Sequence, residues 1–561
     1  MLLIETILTL LAIVFALFWP TAGGTLWSGI EKRFALVARR RTLSVILVGT
    51  AALTLRAVLL PILPVPKPAI HDEFSYLLAA DTFAHWRLAN PPHPMWVHFE
   101  TFHVIQQPTY VSMYYPAQGM FLAAGQILFH HPFWGVWLSC GLMCAAICWM
   151  LQAWVAPVWA LLGGLLAVIR LAAFSYWDNS YWGGAVAALG GALVLGSLPR
   201  IILRRKPGDA AIMGIGFALL INSRPYETVF FGLPVIAILA AWTVRNRSSL
   251  VLRRAVLPLA LVVLGTALFM SYYNWRTSGN PLRPAYFVDL ATYNSVPYFP
   301  WQPLKAPVQY HHPVMQRFYF EWWLLQYRSA RFHPGMFSLL KTYMFWSFFL
   351  RPLLTLPLVI ALLRAPYNTS LAKMRRHTRL LLLVCGFVFI GALLPAYFNP
   401  HYVAAITCAI YALLLISLEQ VRHWTFHGKP AGVALVRSIS IVAIIMLALR
   451  AADPLLNLSN PYAPATWCSP DKQNFDRARI ISQLSQQPGT HLVLVRYAPD
   501  HTLSNEWVYN SADIDGSHVL WARDMGPEQN ADLLRYFNQR RAWLVEPDSK
   551  PVVLRPYAEA H

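Results

Sequence analysis

Apolar residues run along this chain in blocks of roughly 17–25, the length a helix needs to cross a bilayer. The blocks fall at residues 2–19, 43–64, 133–154, 156–174, 182–198, 209–223, 226–243, 253–273, 345–363, 380–396, 400–418 and 433–450. The pattern predicts about twelve spanning helices. Two shorter apolar stretches, 117–131 and 334–344, read as helices lying along the membrane surface. Two long pieces between blocks, 65–132 and 274–344, are rich in aromatics. After about residue 470 the pattern changes. A helix is expected over 473–485, strands over His491–Arg496, Val519–Arg523 and Ala542–Val545, and a helix over 527–537. The predicted fold is a polytopic all-α membrane protein of 11–12 spans with a small C-terminal α/β unit outside the membrane. Its segments are 1–42 (first span and basic loop), 43–450 (membrane part) and 451–561 (tail).

Composition agrees. The chain is 57% hydrophobic and 12% charged, against about 25% charged in soluble proteins. The net charge of +20 comes largely from clusters in short loops, so it argues for orientation and not for nucleic acid. The clusters are Lys32, Arg33 and Arg39 to Arg41; Arg200 and Arg204 to Lys206; Arg245, Arg247, Arg253 and Arg254; Arg364, Lys373, Arg375, Arg376 and Arg379; and Arg422, Lys429 and Arg437. Placing all five in the cytoplasm puts 65–132, 175–181, 223–226, 274–344, 396–400 and the tail outside. Residues 2–19 lack a basic leader and a cleavage site, and read as a retained span. Cys140, Cys144 and Cys148 read as small core residues. Cys468 is the only cysteine of the tail, which therefore has no internal disulfide.

Acids are scarce, 25 in 561 residues, and those at span ends gather on the outer side: Asp72, Glu73, Asp81, Asp178 and Glu227, with Asn179, Arg224 and His401. Paired carboxylates at the mouth of a span suggest a site. Two adjacent acids near lipid resist double ionisation, which lifts one pKa toward that of a useful base. The plainer reading is that one acid caps the helix starting near Phe74 and the other is solvated. Arg56, near mid-span, either pairs with a buried acid or serves the site. The histidines of the first loop, His71, His85, His93, His98 and His103, show no tight ligand spacing, so zinc is not expected. Aromatics of the outer loops read mainly as an interfacial belt.

His71-Asp72-Glu73-x-x-Tyr76, opening a helix just after an early span, resembles the first external loop of GT-C glycosyltransferases. The similarity is greatest to the protein O-mannosyltransferases and the bacterial enzymes that add aminoarabinose to lipid A. The order that follows is similar too: a long loop, a helix opening at Tyr115-Pro116, a hairpin, then Asp178 at the next outer loop. The resemblance implies a polyprenyl-phosphate sugar donor and inverting transfer to an acceptor hydroxyl on the periplasmic side of the inner membrane. Asp72 would be the base and Glu73 its neighbour. Tyr76, Asp178 and Glu227 would help bind substrate. Arg170, Arg224 and His401-Tyr402 would face the leaving phosphate, although relatives often carry a basic residue where His401 stands. Asp178 could bind the acceptor, orient the base or hold a divalent metal; no cofactor is otherwise implied. The acceptor could be an envelope glycan, a lipid or a protein, and membrane lipid is a partner. The alternative is a transporter or flippase of lipid-linked sugars, which would place paired charges at mid-membrane in two symmetric halves.

Overall fold

The structure is a computed structural model and describes residues 1–364, 376–456, 458, 467 and 475–557. Lys373, Arg375, Cys468 and residues 473–474 lie outside the described residues. All twelve apolar blocks form helices. Seven are long and apolar enough to cross a membrane: Arg41–Val58, Phe133–Leu151, Ala185–Arg204, Pro225–Arg245, Ser249–Ser278, Pro400–Arg422 and Ala431–Ala451. Leu2–Phe18, Pro157–Leu171, Pro207–Ile221 and Thr378–Leu393 are apolar but shorter. The chain is a multi-pass helical membrane protein with a small α/β unit at its C-terminal end.

The twelfth block belongs to a broken helix. Pro334–Phe349 and Arg351–Leu363 meet at 100°, so the surface helix runs five residues further than the apolar pattern suggested. Pro352 explains the position: a residue before proline is pushed out of the helical region, and Arg351 takes φ 51°. Gly24–Arg39, expected as a basic loop, is helical. Pro116–Phe129 is the short helix expected beside the hairpin, and it packs backbone to backbone. A Cβ on Gly125 would sit 2.1 Å from the Gly135 nitrogen. Helix Ala185–Arg204 approaches the segment carrying His401 and Tyr402 as closely: a Cβ on Gly191 would lie 1.9 Å from the Ala405 carbonyl oxygen. Small residues let bilayer helices come this near.

Outside the bundle, β1 (Val104–Ile105) and β2 (Val111–Ser112) form an antiparallel ribbon in the first loop. The tail holds β3 (His491–Val495), β4 (Val519–Arg523), β5 (Arg541–Val545) and β6 (Leu554–Pro556) in the order β4-β3-β5-β6. β3 is parallel to β4 and β5, and β6 returns antiparallel. β6 has three residues, too few to show alternation in sequence. The tail shares a core with the first loop: Leu492, Leu494, Leu520 and Leu533 pack with Phe74, Leu78, Phe99 and Tyr110. Polar contacts pin the same junction. The Tyr509 hydroxyl donates to the Phe102 carbonyl at 3.0 Å, and the Ala512 amide donates to Asp81 at 2.7 Å. The tail thus fixes the helix that carries Asp72.

Candidate active site

Helix His71–Ala84 begins at the paired acids, and its first turn separates them. Glu73 turns inward. Its Oε2 accepts the amides of Ala69 (2.9 Å) and Ile70 (3.1 Å), and its Oε1 accepts the amide of Tyr181 (3.0 Å). Ile70 is the N-cap residue, so Glu73 satisfies donors that the helix start leaves free. It is 4% exposed. Burial lifts its carboxyl above the usual value although the three amides pull it down. Glu73, expected beside the base in the chemistry, is tied up as a structural clamp between two loops.

Asp72 faces the other way and is half-buried. One carboxylate oxygen accepts the Tyr114 hydroxyl; the other lies 3.3 Å from His71 Nε2. Burial raises this carboxyl, but His71, His103, the Tyr114 bond and Arg224 outweigh it and hold the group below the usual carboxylate value. Burial also drives both imidazoles down, His103 to about 3. With its carboxyl held below the usual value, Asp72 is ionised at neutral pH. Tyr76 stacks on Tyr114 at 4.4 Å, and burial pushes its hydroxyl up to about 12, so it stays protonated.

Arg224 is the N-cap residue of Pro225–Arg245. Its guanidinium lies over the Tyr402 ring at 4.7 Å. Its electrostatic neighbours are Tyr76, Glu227, Tyr402 and Tyr114, and it acts on Asp72. Among the described residues it makes no side-chain hydrogen bond or ion pair. Asp72, Tyr76, Arg224, Glu227 and Tyr402 are therefore brought together, with Tyr114 added.

Three expected members are engaged by other side chains, His401 while it stays beside Tyr402 with ring centroids 4.9 Å apart. Asp178 is 0% exposed and pairs with Arg56 at 3.8 Å. Burial pushes its carboxyl up while Arg56 pulls it down; a guanidinium keeps its charge in proteins, so we take the pair as ionised. Arg56, buried in the last turn of helix Arg41–Val58, needs a counter-charge, and Asp178 supplies it. Arg170 pairs with Glu5 at 3.7 Å. His401 is 1% exposed and its Nδ1 is bonded to the Tyr176 hydroxyl at 2.7 Å, which withdraws it from any phosphate.

His103 is a member that spacing along the chain could not reveal, because it lies 32 residues from His71. It adopts φ 61°, a costly conformation for a non-glycine residue. Its amide accepts no choice of partner: it donates to the Tyr319 hydroxyl (2.8 Å), while its carbonyl accepts Ser75 (2.6 Å) and Met113 (3.1 Å). Phe318, from the second outer loop, packs on both imidazoles at 4.8 and 5.3 Å. Donor atoms of His71, Asp72 and His103 lie within 4.8 Å of one another. The Nδ1 atoms of both histidines are buried without a hydrogen-bond partner. Two neutral imidazoles and a carboxylate are the donor set of a divalent site with three protein ligands.

No family model and no curated protein matches the sequence. Among solved structures, the chain is similar to ArnT from Cupriavidus metallidurans bound to undecaprenyl phosphate: 14% identity over 92% of this chain and 96% of that one, TM-score 0.47. It is also similar to the oligosaccharyltransferase AglB from Archaeoglobus fulgidus in complex with an inhibitory peptide and a dolichol-phosphate: 11% identity over 90% of this chain and 69% of that one, TM-score 0.37.

Proposed function

We propose that the protein is a membrane glycosyltransferase that moves a sugar from a polyprenyl-phosphate donor to an acceptor hydroxyl, with inversion, at the outer face of the inner membrane. The observation that carries this reading is the convergence of the Asp72 carboxylate and the Arg224 guanidinium, which has no ion-pair partner among the described residues, beside the rings of Tyr76, Tyr114 and Tyr402. The acceptor O–H gives its proton to Asp72, on the oxygen not held by Tyr114. The acceptor oxygen bonds to the anomeric carbon, and the carbon–phosphate-oxygen bond breaks with its electron pair on the leaving phosphate. Arg224 faces that negative charge as it develops. Glu227 attracts the guanidinium electrostatically, and the tyrosine rings supply flat faces for the sugar.

The lipid part of the donor has a place to lie. An apolar cavity of about 400 Å³ is bordered by Met120 and Phe121, by Ile215 and Leu219, and by Val262 and Phe269. It ends at Asn222, two residues before Arg224. A prenyl chain entering from the bilayer there brings its phosphate to the guanidinium.

His71, Asp72 and His103 would hold a divalent metal, which would supply positive charge at that place. Metal analysis of the purified protein tests this apart from turnover: about one ion per chain is expected, and none in His103→Ala.

The experiment for the function is reconstitution in proteoliposomes with polyprenyl-phosphate sugars and candidate glycan, lipid and protein acceptors. Glycosylated acceptor with release of polyprenyl phosphate supports the reading. Movement of the sugar lipid between leaflets with no product favours a flippase and defeats it.

A further inference from the structure

A second charged cluster sits apart from Asp72, where four helix ends meet. Arg170 ends helix Pro157–Leu171, Arg450 ends Ala431–Ala451, and Arg351 stands at the broken-helix bend. Their guanidinium carbons lie 4.7, 4.6 and 5.2 Å from the ring of Trp467. Three like charges around one indole repel one another. The carboxylate between them, Glu5, is 1% exposed and reaches Arg170 at 3.7 Å and Arg351 at 3.5 Å, too far for close hydrogen bonds. Asp453 attracts Arg450 from the other side. Among the described residues, three guanidiniums against these two carboxylates leave positive charge in excess.

Part of each fork is left over. Arg170 Nη2 donates to the Phe348 carbonyl at 3.3 Å and Arg351 Nε to that of Ser347 at 3.0 Å, but among the described residues the buried Arg170 Nε, Arg351 Nη1 and Arg450 Nη2 have no hydrogen-bond partner. Arg170 and Arg450 border a cavity of about 30 Å³ that Glu5, Trp467 and an apolar wall including Ile169 and Leu447 also line; Arg351 reaches the same Trp467 ring from outside that lining. The frame is firm: the Trp467 ring donates to the Ser347 carbonyl at 3.1 Å and stacks on Phe348 at 5.2 Å. Arg351 is held in its left-handed backbone by the turn into Pro352. A buried cation without a counter-charge is costly, and guanidinium forks converging from three helices suit a tetrahedral acceptor with several oxygens.

We propose that Arg170, Arg351 and Arg450, around Trp467, hold a phosphate group. This does not depend on the transferase reading, because none of these side chains contacts Asp72 or Arg224. The apolar wall leaves a path for the carbon side of a phosphodiester, so the phosphate can come from a bilayer phospholipid or from free phosphate.

The test uses the full chain, stripped of lipid in detergent, with native mass spectrometry and thermal unfolding as readouts. Three probes separate the sources: dioleoylphosphatidylglycerol, dioleoylglycerol lacking the phosphate, and inorganic phosphate. The wild type is expected to retain one phosphatidylglycerol and not the diacylglycerol, with binding at least tenfold weaker in Arg450→Gln. Binding and stabilisation by inorganic phosphate alone, lost in the same variant, supports the site with free phosphate as its source. Equal binding of phosphate-bearing and phosphate-free lipid, equal binding by wild type and Arg450→Gln, or no binding of either phosphate source to the wild type overturns the proposal. That last comparison needs only the wild type, so it holds even if the variant does not fold.

Discussion

Replacing Asp178 by Asn will damage the fold and leave the chemistry alone. The carboxylate and its partner Arg56 are both 0% exposed, and their charged atoms are 3.8 Å apart. Removing one member of a buried pair leaves the other charge uncompensated, at a cost of about 3–5 kcal/mol. Arg56→Met will cost more than Asp178→Asn. Arg56 also donates to the carbonyls of Leu63 (2.8 Å) and Pro64 (3.3 Å) and lies over the Phe133 ring at 4.9 Å, and each lost charged hydrogen bond adds roughly 1.5 kcal/mol or more. The double variant Arg56→Met/Asp178→Leu will recover a coupling of about 3 kcal/mol, since neither charge is then stranded. Reversible unfolding in mixed micelles measures all four corners of the cycle, and turnover per folded molecule is followed alongside. A singly substituted Asp178→Asn with unchanged stability and abolished transfer would refute the structural assignment and return Asp178 to the substrate site.

Arg224→Ala will lower the transfer rate about 10²–10³-fold, the scale on which a lost oxyanion donor acts, and will also lower Tm because the Tyr402 ring and Glu227 lose the guanidinium; transfer at the wild-type rate by the folded variant would contradict its assignment to substrate. Glu73→Ala will cost about 3 kcal/mol, leaving three buried amides without an acceptor, and Glu73→Gln less. Folded Glu73→Gln will retain turnover, and its complete inactivity at normal stability would make Glu73 catalytic after all. Glu31 accepts Arg422 at 3.0 Å and Arg437 at 2.9 Å; burial raises its carboxyl, but the two arginines win and hold it below 4.5. Its folded pKa is thus depressed, so its stabilisation is complete above about pH 4.5 and fades as pH falls through the lower folded value. The pair is a third exposed, so the effect is about 1 kcal/mol. Glu31→Gln will lose it at pH 7, and the gap to wild type will close under acid; a gap constant down to pH 3 would contradict this.

The membrane helices were readable because a span needs a continuous apolar run, and each predicted block is helical. The tail's first three strands were readable as short apolar runs set between helical stretches. What the sequence hides is pairing across distance. Asp72 and Glu73 are neighbours with the same chemistry, and only the turn of the helix shows which one meets backbone amides. Asp178 and Arg170 had the residue types of a sugar-phosphate site, but Arg56 and Glu5, far away in the chain, claim them. His103 looked like one loop histidine among several until the fold set it beside His71. The bend at Arg351 was marked in the sequence by Pro352, a local signal that the apolar count overran.

The most direct measurement is the single-turnover rate of Asp72→Asn against wild type, with a saturating polyprenyl-phosphate sugar and an accepted acceptor. Asn keeps the shape and can still accept the Tyr114 hydroxyl, but it cannot take a proton. The account predicts an intact fold, donor binding near that of wild type and a rate lower by about 10²–10⁴-fold. Transfer at the wild-type rate in the folded variant would contradict it.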